Sequence, residues 1–65
     1  MDRKSQDKVL RAGSTIIRKD DYPQPRIKAR YVAGSDYRTY EKYKTKAERD
    51  RAFAGLLKGD KVISD

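Results

Sequence analysis

Arg26-Ile27-Lys28-Ala29-Arg30-Tyr31-Val32 is the stretch that decides the fold class. Apolar and basic residues alternate along it with the two-residue period of a β-strand, which turns Ile27, Ala29 and Tyr31 toward a core. Arg26, Lys28 and Arg30 then share the opposite face of the same strand. A half-buried strand requires a polar outer face but not a uniformly positive one. The excess of one sign points to a polyanionic partner.

Working outward, Gly13 marks a break, and Thr15-Ile16-Ile17-Arg18-Lys19 has the β-branched content of a preceding strand. Asp20-Asp21-Tyr22-Pro23-Gln24-Pro25 reads as the loop between the two, its prolines removing backbone donors and keeping their predecessors extended. After Val32, Ala33-Gly34-Ser35-Asp36 is a reverse-turn composition in which Gly34 can take positive φ. A third strand is expected from about Tyr37 to Lys44. Tyr37, Tyr40 and Tyr43 recur every three residues there, which leaves its phase, and a helical alternative, open. The turn before it and the Tyr/Thr content favour a strand. With Tyr43 inward, Arg38, Tyr40, Lys42 and Lys44 face outward beside the cations of the second strand.

The helix that follows starts at a capping box, Thr45-Lys46-Ala47-Glu48, where the Thr45 hydroxyl accepts from the Glu48 amide. Losing such a cap costs about 1 kcal/mol, a large share of a small domain's stability. Phe53, Leu56 and Leu57 recur at helical spacing, with Arg49 on the same stripe, and Lys58-Gly59 reads as a left-handed C-terminal stop. Lys46, Glu48, Arg49, Asp50 and Arg51 mix signs and read as a solvated helix face. The inward residues, Ile17 or Ile16 with Ile27, Ala29, Tyr31, Tyr43, Phe53, Leu56 and Leu57, make one two-layer core. The expected fold is α+β, a three-stranded antiparallel sheet packed on one C-terminal α-helix, with Val62-Ile63 as a short extra strand or a packed tail. Residues 1–8 are polar and read as a flexible N-terminal arm, and residues 9–65 as a single small domain.

The chain has 65 residues and a net charge of +7, from 17 Lys and Arg against 10 Asp and Glu. With no Cys and no His, it lacks thiolate chemistry and the usual near-neutral general base. Asp20-Asp21 lacks the spaced partners of a cation site, and Glu41 and Glu48 form no acid–base pair, since capping occupies Glu48. The expectation is a protein that is not an enzyme and uses neither cofactor nor metal. No apolar run is long enough to span a membrane, and a cytoplasmic location is the default reading.

Tyr43-Lys44-Thr45-Lys46-Ala47-Glu48 resembles the step from sheet to helix in the arm-site DNA-binding domains of tyrosine recombinases and in the related AP2 domains. In element order the resemblance covers roughly residues 14–57. It implies an exposed sheet face that enters the DNA major groove, with Arg26, Lys28, Arg30, Arg38, Tyr40 and Lys42 at the contacting positions. The Pro23/Pro25 loop is longer than a tight hairpin and no Trp stands in the sheet, both departures from that pattern, and the expectation is a stand-alone binder without a recombinase catalytic domain.

Charge pattern and resemblance together nominate a basic sheet face made of Arg18, Arg26, Lys28, Arg30, Arg38, Tyr40, Lys42 and Lys44, and nucleic acid as the partner, DNA before RNA. Tyr37 and Tyr40 are candidates for stacking on unpaired bases, whereas Tyr31 and Tyr43 fit the core. The alternative partner is an acidic protein surface, met by an inhibitor or adaptor through the same electrostatics. A membrane surface is not expected, because the helix has no broad apolar face beyond its core residues.

Overall fold

The computed structural model describes residues 2–65. Among them the elements run α1 (Arg3–Arg11), β1 (Thr15–Asp20), β2 (Arg26–Arg30), β3 (Arg38–Lys42), α2 (Lys46–Leu56) and β4 (Val62–Ser64). They build one four-stranded sheet in the order β3-β2-β1-β4, in which β1–β2 and β2–β3 are antiparallel and β4 lies parallel to β1. The fold is α+β, but the sheet is four-stranded and mixed rather than three-stranded and antiparallel, and a second helix precedes it.

That helix changes what the sheet needs. On β1, neighbouring side chains point to opposite faces, and both Ile16 and Ile17 are buried. Ile17 packs with Ile27, Ala29 and Phe53 under α2. Ile16 pairs with Arg30 across the sheet on the other face, where α1 supplies the buried Leu10 and Gln6. The choice between Ile16 and Ile17 disappears because a helix covers each face.

Helix α1 forms where polar composition suggested a loose arm. The Asp2 carboxylate caps it, accepting from the Ser5 amide at 2.7 Å, and Lys8 and Arg11 stand in its last turn, where cations suit the exposed carbonyls. Gly13, at φ 96°, then turns the chain into β1. So few apolar residues would hold this helix poorly without Arg30. This arginine is 1% exposed. Its Nη1 donates to Gln6 Oε1 at 2.9 Å, its Nη2 to the Asp7 carboxylate, and its Nε to the Ser35 carbonyl at 2.6 Å in the β2–β3 turn. Burial alone pushes the Asp7 carboxyl up; the Arg30 hydrogen bond and charge outweigh it and hold Asp7 below its ordinary value.

A second buried arginine ties α2 to the sheet. The Glu48 amide donates to Thr45 Oγ at 3.1 Å, the expected cap. Arg49, one turn in, is not part of a solvated face: it is buried, and donates to the Asp20 carbonyl at 2.9 Å, Asp21 Oδ1 at 2.6 Å and Asp50 Oδ1 at 2.8 Å. The β1–β2 loop is thereby fastened to the helix. Two inward assignments fail. Tyr31 lies past the end of β2 and is 50% exposed, and Leu57 stands exposed after the last turn of α2. Gly34 takes the expected positive φ of 85°, whereas Gly59 does not.

Two outcomes follow. Arg30→Ala removes charged hydrogen bonds to two elements and takes the Arg30 donors from Gln6 Oε1 and the Asp7 carboxylate; it should lower stability by about 3 kcal/mol, a fall in Tm on the order of 15 °C for a domain of this size, and Arg30→Lys, lacking the planar fork, should rescue little. Thermal melts followed by circular dichroism check both. Arg49 also holds the Asp21 and Asp50 carboxyls below their ordinary value of 3.8, chiefly by its hydrogen bonds to them. Such carboxyls are more acidic folded than unfolded, so their contribution is complete above the unfolded value and is lost as pH falls through the folded one. Urea midpoints should be flat from about pH 7 to about pH 5 and fall below about pH 4, less steeply in Asp21→Asn.

Candidate functional site

The nominated basic face is divided by the sheet register. Arg18 pairs with Lys28, and Arg26 with Lys42, so these four side chains share the α1 side of the sheet. Opposite Ile27 and Lys28, β3 shifts register: Ile27 meets Glu41, Lys28 meets Thr39, and Tyr40 is the extra residue of a bulge. Past the bulge Arg38 pairs with Ala29, on the α2 side, and Tyr40 lines a cleft there with Ile17 and Leu56. Arg38 and Tyr40 are therefore not brought together with Arg26, Lys28 and Lys42. Lys44 lies exposed beyond the end of β3, and Arg30 is consumed in binding α1.

On the α1 side, Arg3, Gln6, Arg18, Lys28, Asp36, Tyr37 and Asp65 line an open groove of about 430 Å³ between helix and sheet. The Arg18 guanidinium lies over the Tyr37 ring at 4.1 Å, which places Tyr37 as a support for a cation. The Tyr37 hydroxyl donates to Asp65 Oδ2 at 3.1 Å. Burial, then the Asp65 carboxylate, raise the Tyr37 phenol, so it stays a neutral donor at ordinary pH. Carboxylates offset part of the groove's charge: Arg3 meets Asp36 at 3.6 Å, and Lys28 meets Asp20 at 3.5 Å. The Tyr22 amide and then Lys28 hold Asp20 below its ordinary value. The exposed Arg3–Asp36 pair is weak and opens readily to a competing anion, whereas the Lys28–Asp20 pair is half-buried.

The structure adds cations that sequence reading passed over. Lys4, Lys8 and Arg11 are exposed on α1 at i, i+4 and i+7, on the stripe opposite the buried Gln6 and Leu10. Their spacing was itself the signal, hidden by a polar segment read as an arm. Among the described residues Lys4, Lys8, Arg11, Arg18, Arg26 and Lys42 have no carboxylate within ion-pair distance. The Arg26 Nε donates to the Gln24 carbonyl, at 3.3 Å.

The aromatic residues also divide. Tyr43 packs partly buried against the α2 core and donates to Glu41 Oε2 at 3.1 Å; burial, then that contact, push its phenol up to about 12. Among the described residues no cluster of three or more His, Cys, Asp or Glu is placed to hold a metal ion, and no helix is long and apolar enough to cross a membrane. Comparison with known proteins finds no matching family, no similar curated protein and no similar solved structure.

Proposed function

We propose that this chain binds nucleic acid, duplex DNA in preference to RNA, through the side of the sheet that carries α1. The observation that supports this reading is the gathering of unpaired cations from several elements on one side: Lys4, Lys8 and Arg11 on α1, Arg18 on β1, Arg26 on β2 and Lys42 on β3. The α1 stripe runs about 10 Å along the helix, a length that follows a phosphate backbone. B-form DNA admits a helix in its major groove, whereas the deep, narrow major groove of A-form RNA does not.

The mode differs from the one the resemblance implies. An open sheet face cannot lie in the groove where α1 covers Ile16 and Arg30. Contact falls instead to the outer stripe of α1 and to the uncovered end of the sheet beside it, where Arg18, Arg26, Lys28 and Lys42 sit. The exposed Arg3–Asp36 pair can exchange its carboxylate for a phosphate on binding, at the edge of the six-cation surface.

With about six phosphate contacts, affinity for a short duplex should fall on the order of 10³-fold between roughly 50 and 200 mM salt. Replacing Lys4, Lys8 and Arg11 together by Gln, at exposed positions, should leave the melt unchanged, weaken binding to all duplexes alike and reduce the log–log salt slope by about 3. Fluorescence anisotropy measures both. A folded triple variant with unaltered affinity and slope would contradict the reading.

A further inference from the structure

The α2 side of the sheet carries a different feature. Phe53 closes the core over Ile17, Ile27 and Ala29, and beyond the end of α2 at Leu56 a cleft lies above this buried floor. There, Ile17, Ala29, Leu56 and Val62 line an apolar cleft of about 180 Å³, flanked by Tyr31 and Tyr40. Tyr40 reaches it because of the bulge in β3, which reverses the side-chain alternation at that residue. Tyr31 is 50%, Val32 56% and Tyr40 49% exposed, an aromatic and aliphatic rim of the kind that anchors protein partners.

Tyr31 is shared with an adjoining hollow formed with Val32, Ser35, Asp36 and Arg38. Asp36 is turned to Arg3, at 3.6 Å, while Arg38 has no ion-pair partner among the described residues. An apolar slot thus adjoins an unpaired cation. Beside them runs β3, an edge strand paired only to β2, whose outward backbone groups are open to a further strand.

We infer that this face is a docking site for an extended acidic segment of a partner protein, which places an apolar side chain in the cleft, a carboxylate on Arg38 and its backbone along β3. The volume suits one large aliphatic or aromatic side chain. Thr15 is the one other residue that lines the cleft, so beyond the hydroxyls of Thr15, Tyr31 and Tyr40 its wall is aliphatic, which suits an apolar side chain better than the several polar edges of a nucleobase. A second copy of the chain is opposed by the charge of +7 on each molecule. An acidic segment is attracted by the same field and matched by Arg38.

The test is an amide NMR titration of the full chain with the blocked peptide Asp-Glu-Leu-Phe-Glu-Asp, beside Asp-Glu-Ser-Ser-Glu-Asp and oligo-dT. The expected result is saturable shifts at Ile17, Ala29, Tyr31, Tyr40 and Val62 with the Leu-Phe peptide alone. Affinity should drop about tenfold or more in Tyr40→Ser and in Arg38→Glu, both exposed changes whose folding the same spectra verify. Equal shifts with the Ser-Ser peptide would reduce the site to general electrostatics and overturn the inference. So would cleft shifts produced by oligo-dT, concentration-dependent cleft shifts in the protein alone, or no response to the Leu-Phe peptide. Loss of duplex binding in the α1 triple variant leaves this titration unaffected, because the two surfaces lie on opposite faces of the sheet.

Discussion

A guanidinium buried between a helix and a sheet is the constraint on which this molecule depends. Arg30 points to the face of β2 that alternation assigns to solvent, yet α1 lies over it. Once buried, the charge must have its donors satisfied, and Gln6, Asp7 and the Ser35 carbonyl satisfy them from two directions. One side chain thereby fixes where α1 sits and how the β2–β3 turn closes. The position of Lys4, Lys8 and Arg11 follows from it, because a helix held on Gln6 and Leu10 presents its opposite stripe outward.

Arg49 repeats the device on the other face, linking α2 to the Asp20 carbonyl and the Asp21 carboxylate of the β1–β2 loop. A chain of 65 residues with 35% hydrophobic content has a core of a few aliphatic side chains and Phe53. A core of that size leaves little margin. Each helix is therefore fastened to a connection of the sheet by a buried, forked cation. Arg30 and Arg49 are the buried, structural cations; Arg3, Lys19, Lys28 and Lys46 pair with carboxylates nearer the surface, and Lys4, Lys8, Arg11, Arg18, Arg26 and Lys42 have no carboxylate within ion-pair distance among the described residues.

What could be read from sequence was the part governed by local period and capping. Ile27 and Ala29 face a core as alternation requires, and Thr45 caps α2 through the Glu48 amide. What could not be read depends on contacts distant in sequence. Alternation gives the direction of Arg30 correctly but cannot show that residues 3–11 return to cover it. The tyrosines at positions 37, 40 and 43 reveal no bulge, although the bulge separates Arg38 and Tyr40 from Lys42. For α1 the signals were present, an Asp2 cap and cations at i, i+4 and i+7, and Val9-Leu10 reads from sequence as an apolar pair docked on the core, a short strand or a turn of helix; the polar Gln6 gives no sign of being the second inward position.

The two sheet faces consequently carry different chemistry: an apolar cleft beyond the end of α2, and a cationic surface whose α1 part depends on that helix being docked through Arg30. Amide hydrogen exchange tests that docking most directly, comparing the native chain with an Arg30→Met variant. The amides of Asp7 to Arg11 in α1 should be protected in the native chain and lose protection selectively in the variant, while β1 and β2 stay protected. Unprotected α1 amides in the native chain, or protection that survives Arg30→Met unchanged, would contradict docking through Arg30.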